Sequence, residues 1–158
     1  MRPFRPGDLD RLIALTIDTF GPFYTESFRG IVGDAILAHE HGDWRGDYRR
    51  TVPGLHAPDQ GKYVAVAEVG GAVAGYVAWN VDVARRHGEI YMLAVDTSYR
   101  RHHLGTVLCE HAFAGMKERG VEVVEIGTGG DAFHAPARAL YESLGCVLFP
   151  VAAYYKRL

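Results

Sequence analysis

Apolar and polar residues alternate along this chain with two different periods. Leu9, Leu12, Ile13, Thr16, Ile17 and Phe20 share one face at helical spacing. A helix therefore starts at Asp8, after Pro6-Gly7, and Gly21-Pro22 is expected to stop it. The pattern weakens over residues 23–58, where a second helix is expected at 31–40, then an irregular stretch with Trp44, Tyr48 and Pro53. Phe20, Phe23, Tyr24, Phe28 and Trp44 cluster in this region, either as pocket lining or as ordinary core. The period then shortens to two. Strands are expected at 63–69 and 72–83, joined by a Gly70-Gly71 hairpin turn, and at 89–95 after a loop at 85–88. A helix at 104–119 follows, with Leu104, Val107, Leu108, His111, Ala112 and Met116 on one face and Gly120 as its stop. A strand at 121–126, a turn at 128–131, a helix at 135–144 ending at Gly145, and a closing strand region at 146–157 interrupted by Pro150 complete the chain. Strand–helix–strand order in the second half favours parallel crossovers, so the expectation is an α/β fold with a mixed sheet and helices on both faces.

Composition narrows the classes open to such a chain. At 158 residues it fits a single domain over 1–158, with enough length for a core. A formal net charge of −2 gives no general field for nucleic acid or an anionic membrane surface. The two cysteines, Cys109 and Cys146, stand outside any metal-ligand or CxxC spacing, and the eight histidines form no HExxH or His/Cys group; no metal site is expected. No apolar signal core opens the chain, and no apolar run approaches the roughly 18 residues of a membrane span. The expectation is a soluble, cytoplasmic protein with reduced thiols.

Local chemistry concentrates in residues 95–108. A strand ends at Val95, a short loop carries Arg100, Arg101, His102 and His103, and an apolar helix begins at Leu104. Amides at a helix start have no internal partners and carry partial positive charge, so they bind phosphate readily. Gly105 is expected to let an anion approach the backbone, with Arg100 and Arg101 adding charge. The reading is a diphosphate site on a protein with no general affinity for polyanions. Nucleic-acid binding through Arg85-Arg86-His87 and this loop lacks any accompanying stacking motif. Residues 127–132 fit GxGxxA after a strand, but too little chain follows for a dinucleotide fold, so these glycines read as a turn.

Val95, Tyr99, Arg100, Leu104, Gly105 and Leu108 match V-x-P-x-Y-R-G-x-G-I-G-x-x-L, and residues 137–146 resemble A-x-x-L-Y-x-x-x-G-F. In both blocks the chain resembles the GCN5-related N-acetyltransferase (GNAT) family, and the order of elements agrees from end to end. His103 stands where the signature has glycine, and His134 where asparagine commonly precedes the last helix. The resemblance implies a centrally splayed mixed sheet and transfer of an acetyl group from acetyl-CoA to a primary amine of a small molecule or peptide, by direct attack. It implies cofactor contacts from Leu93, Ala94 and Val95 to pantetheine and acetyl, and from Arg100, Arg101, His102, His103, Leu104, Gly105 and Thr106 to the diphosphate, with His134 nearby. Tyr141 matches the tyrosine that protonates the leaving sulfur. Glu89 resembles the base glutamate of the histone-modifying branch and, on strict alternation, shares a face with Tyr91, Leu93 and Val95. Glu125, Asp131 and His134 are substitutes for it, because the family often moves this proton through water. The resemblance also allows a homodimer. A non-catalytic acyl-CoA sensor is the alternative, since binding and transfer share most of these residues. The acceptor is not specified.

Overall fold

The computed structural model describes residues 1–100 and 102–158. Its sheet runs in the order β1 (Arg2–Pro3), β2 (Lys62–Val69), β3 (Ala72–Asp82), β4 (His87–Val95) and β5 (Val123–Ile126). The first four strands are antiparallel and β5 is parallel to β4, so the sheet is mixed as expected. Gly70 and Gly71 both take positive φ (58° and 81°), the conformation a two-residue hairpin turn needs to match strand twist.

Helices cover both faces. α1 (Leu9–Pro22) buries Leu12 and Leu15 against Val64, Val66, Tyr76 and Ala78. On the opposite face, α5 (Leu104–Glu118) buries Leu108, Cys109, Ala112 and Met116 against Val77, Trp79 and Ile90. Full burial of each leucine contributes roughly 1.5–3 kcal/mol. The buried stripe of α5 is rotated from the expected one, leaving Val107 43% exposed. α6 (Ala135–Ser143) follows β5 and lays Leu140, Tyr141 and Leu144 against the α5 core.

Three departures from the sequence pattern have physical causes. Gly21-Pro22 does not stop the first helix. Proline lacks an N–H and crowds the carbonyl four residues back, yet the helical path continues past it as a π-helical stretch, Phe23–Phe28, and then α2 (Arg29–Val32). Thr25 Oγ1 donates to the Gly21 carbonyl at 3.1 Å, and Gly21 has no side chain to collide with Trp44. The expected 31–40 helix is broken at Gly33 (φ 83°), with α3 (Asp34–His41) beyond it, and the expected irregular stretch contains α4 (Trp44–Thr51), capped by Asp43. The closing strand region does not form. Gly145 (φ 82°) turns the chain, the Cys146 amide bonds back to Tyr141 O at 3.0 Å, and Pro150 removes a ladder donor. Tyr155 instead meets Phe28, and among the described residues the sheet ends at β5.

Candidate active site

β4 and β5 part company partway along. Their pairing runs from His87 with Val123 to Ile90 with Ile126 and ends there. Beyond that point Met92 to Val95 have a strand partner only in β3, so among the described residues their β5-facing backbone groups have none. A bulge marks the fork. Ala78 pairs with Met92 and Trp79 with Ile90, leaving Tyr91 unpaired and 49% exposed. The extra residue also changes the facing of the strand. Leu93 and Val95 lie on the α5 side, whereas Met92 and the buried Ala94 lie on the α1 side.

That bulge corrects the expected facing of Glu89. Alternating with Ile90, which packs on the α5 side, Glu89 stands on the α1 side and does not share the face of Leu93 and Val95. Asn80 Nδ2 donates to its Oε2 at 3.4 Å, and Glu125 is its register partner on β5. Glu89 and Glu125 help line a cavity of about 410 Å³ with Asn80, Asp82, Arg85 and His87.

At the other end of β4, Asp96 turns the chain. Its carboxylate accepts from the Ser98 amide (2.8 Å) and from Arg11 (2.5 Å), which also donates to Val73 O, so the loop is pinned to α1. Those two bonds hold the Asp96 carboxyl below its ordinary range. Arg100, His102 and His103 are exposed, and Arg101 lies outside the described residues. His103 is the residue preceding α5, with φ 56° and ψ 15°, the left-handed region that suits the glycine usual there. Among the described residues no side chain caps this helix, so the first amides, those of Leu104, Gly105 and Thr106 among them, are left for an external acceptor. Gly105 also has a packing role. A Cβ there would lie 3.0 Å from Leu140 Cδ2, so the missing side chain admits α6.

Tyr141, on α6, packs against the α5 core. Burial first, then the nearby Cys109 and Cys146, push its hydroxyl pKa up, so it stays protonated through neutral pH. Burial likewise pushes the Cys109 thiol up to about 12, which makes it a poor nucleophile.

His134 precedes α6, and its Nδ1 bonds Asp131 Oδ1 at 2.5 Å. Asp131 Oδ2 accepts from Ser27 Oγ at 2.5 Å, tying the π-helical stretch to the loop after β5. Burial would raise this carboxyl, but the bonds from Ser27 and His134 outweigh it and hold it below the usual range. Nothing in the sequence spacing linked Ser27 to Asp131. The N-terminal aromatic cluster packs on itself: Tyr24 stacks on Trp44 at 4.8 Å, and the Tyr24 and Tyr48 hydroxyls meet at 3.0 Å. Nearby, Asp34 pairs with Arg29, and Asp43 with Arg50.

The sequence model described as the acetyltransferase (GNAT) family matches residues 23–146. A mycothiol acetyltransferase of Beutenbergia cavernae is 41% identical over 68 residues, 43% of this chain and 22% of that protein. Human N-alpha-acetyltransferase 30 is 36% identical over 85 residues, 52% of this chain and 23% of its own length. The matched segments thus span under a quarter of either relative. An aminoglycoside acetyltransferase from an uncultured soil metagenomic sample, solved with sisomicin, has the same fold. Its TM-score is 0.65 at 20% identity, covering 99% of this chain and 94% of that one.

Proposed function

This chain belongs to the acetyltransferase (GNAT) family, and we propose that it transfers an acetyl group from acetyl-CoA to the primary amine of a small molecule or peptide. The observation that carries this reading is the fork between β4 and β5. The β5-side edge of β4 from Tyr91 to Val95, left without a strand partner, leads into a helix start with uncapped amides, and Tyr141 packs from α6 against that helix. An extended chain with amide groups, such as pantetheine, can satisfy the backbone of Leu93, Ala94 and Val95. A diphosphate suits the amides of Leu104, Gly105 and Thr106, with Arg100 and Arg101 adding charge and His102 and His103 at the rim. Acetyl-CoA supplies an activated acyl thioester.

The chain's own groups then have separate tasks. Backbone donors at the fork polarise the acetyl carbonyl. Tyr141, held protonated by its burial, gives its proton to the departing sulfur. Glu89 and Glu125, adjacent on the α1 side, attract a cationic amine to the fork. The two named relatives act on different acceptors, and the present chain's acceptor is either a small amine or a peptide.

Thiol release from acetyl-CoA in the presence of a peptide with a free N-terminus, a polyamine and an aminoglycoside tests the reading, with mass spectrometry of the product. Turnover of one amine is expected, and Tyr141→Phe lowers its kcat about 10²-fold with acetyl-CoA affinity retained. Acetyl-CoA binding with no turnover on any amine, together with no effect of Tyr141→Phe, supports a sensor instead.

A further inference from the structure

We propose that His134 accepts the proton of the acceptor amine and that Asp131 is its positioning residue; this rests on the acetyl-transfer reading above. Asp131 is saturated as an ionised carboxylate. Oδ2 accepts from Ser27 Oγ (2.5 Å) and the Phe133 amide (3.2 Å), and Oδ1 faces His134 Nδ1 (2.5 Å). A carboxylate with such bonds only accepts, so Nδ1 carries the hydrogen, and Nε2 of the neutral ring presents a lone pair. Nε2 has no protein partner among the described residues, and the side chain is 16% exposed. Phe23 and Phe133 stand edge-on to the ring, each with centroids 4.9 Å away.

The loop is shaped around this pair. A Cβ on Gly129 would collide with both Asp131 Oδ1 and His134 Nδ1. Arg138, the cation facing the loop from α6, donates to Gly129 O (2.5 Å) and Asp131 O (2.8 Å) and so fixes the backbone on either side. The start of α6 disfavours positive charge on the ring, and Asp131 offsets this. The π-helical stretch contributes the uncharged Ser27 and Phe23. A hydrogen-bonded imidazole held this firmly, with one nitrogen left open, is arranged for proton transfer more than for packing.

Its position suits the reaction. His134 immediately precedes α6 and Tyr141 lies about two turns further on, about 10 Å along an ideal helix. Both follow β5 in the chain, after its pairing with β4 ends at Ile126. Nε2 takes a proton from the ammonium, and the freed nitrogen pair forms the C–N bond as the C–S bond breaks. Tyr141's proton ends on sulfur, the nitrogen's second proton restores the Tyr141 hydroxyl, and the imidazolium releases its proton to solvent. Imidazole is the side chain most often used for this kind of proton transfer.

The test uses the amine turned over in the panel above. Wild-type kcat/KM is expected to rise with pH through a limb near neutrality. His134→Gln loses that limb and about 10²-fold in kcat, while calorimetry gives an acetyl-CoA Kd within about twofold of wild type. Asp131→Asn loses about tenfold, and the ¹⁵N spectrum of His134 changes from the Nδ1–H tautomer to a mixture. A His134→Gln enzyme that keeps the limb and kcat but has a raised KM for acetyl-CoA makes the imidazole a cofactor contact and overturns the proposal. Loss of the limb in Glu89→Gln, with His134→Gln unchanged, assigns the base to Glu89 and also overturns it. If no amine is accepted by the wild type, the transfer reading itself fails, an outcome distinct from either.

Discussion

Two strand-to-helix junctions stand side by side at the fork, and they are finished in opposite ways. After β4, among the described residues, the loop is anchored at its start by Asp96 and the helix it enters has no side-chain cap. After β5, the loop satisfies itself: Asp131 takes bonds from Ser27, Phe133 and His134, and Arg138 binds two of its carbonyls. The first junction keeps donors free and invites an anion. The second spends its donors on one carboxylate and leaves a single imidazole nitrogen open. Binding and proton handling thus fall to neighbouring loops built on the same strand–helix plan.

Acid should loosen both junctions together, and this is the largest effect expected. The Asp8 carboxyl is lowered by its bonds from Arg2, Asp96 by Ser98 and Arg11, and Asp131, against its burial, by Ser27 and His134. A carboxyl lowered in the folded state binds more protons when unfolded. Its stabilisation is therefore complete above the unfolded value and is lost as pH falls through the folded one. Tm should drop as pH is taken below about 4, and Asp131→Asn and Asp96→Asn should each reduce the size of that drop. A Tm indifferent to acid would remove these carboxylates from the account of either junction.

Gly129→Ala separates the junctions. The new methyl group must displace the Asp131–His134 pair. A loss of about 10-fold to 10²-fold in kcat is expected, with acetyl-CoA affinity unchanged, because the β4 junction is untouched. Equal damage to cofactor affinity in calorimetry would mean that the two loops are not independent. Arg100→Ala tests the other side. It should raise the Kd for acetyl-CoA about tenfold, an effect of about 1.4 kcal/mol, and leave kcat at saturation nearly unchanged. Added salt should narrow the difference from wild type.

The β4 junction was largely legible in the sequence because its signal is local. A strand ending at Val95, a basic run and an apolar helix at Leu104 announce themselves within a few residues. The mixed sheet and both amphipathic helices around it were expected from the period of the pattern and the strand–helix–strand order, whereas the edge strand at Arg2–Pro3 was not. What could not be read depends on long-range contact or on one-residue shifts. Alternation cannot register the bulge at Tyr91, and that shift moves Glu89 to the other face. Pro22 looked like a stop because its local cost is real, and the π-helical stretch survives through packing against Trp44 and His41. Gly129 read as a turn glycine, whereas its missing side chain makes room for a pair whose carboxylate is held by Ser27, 104 residues away from Asp131.

His103→Gly gives the smallest effect and the finest comparison. At φ 56° a residue with a Cβ carries about 1–2 kcal/mol of strain, which glycine relieves. Glycine also loosens the unfolded chain, at a cost of about 0.4–1 kcal/mol. The net gain is about 0.5–1 kcal/mol, or roughly 1–4 °C in Tm for a chain of this size. Acetyl-CoA affinity measured on the same variant then separates two uses of the loop. If the backbone alone holds the diphosphate, affinity is kept or tightened as the amides gain room. If the imidazole contributes a contact, affinity falls while Tm rises, and the β4 junction, like the β5 junction, uses a histidine side chain at the start of its helix.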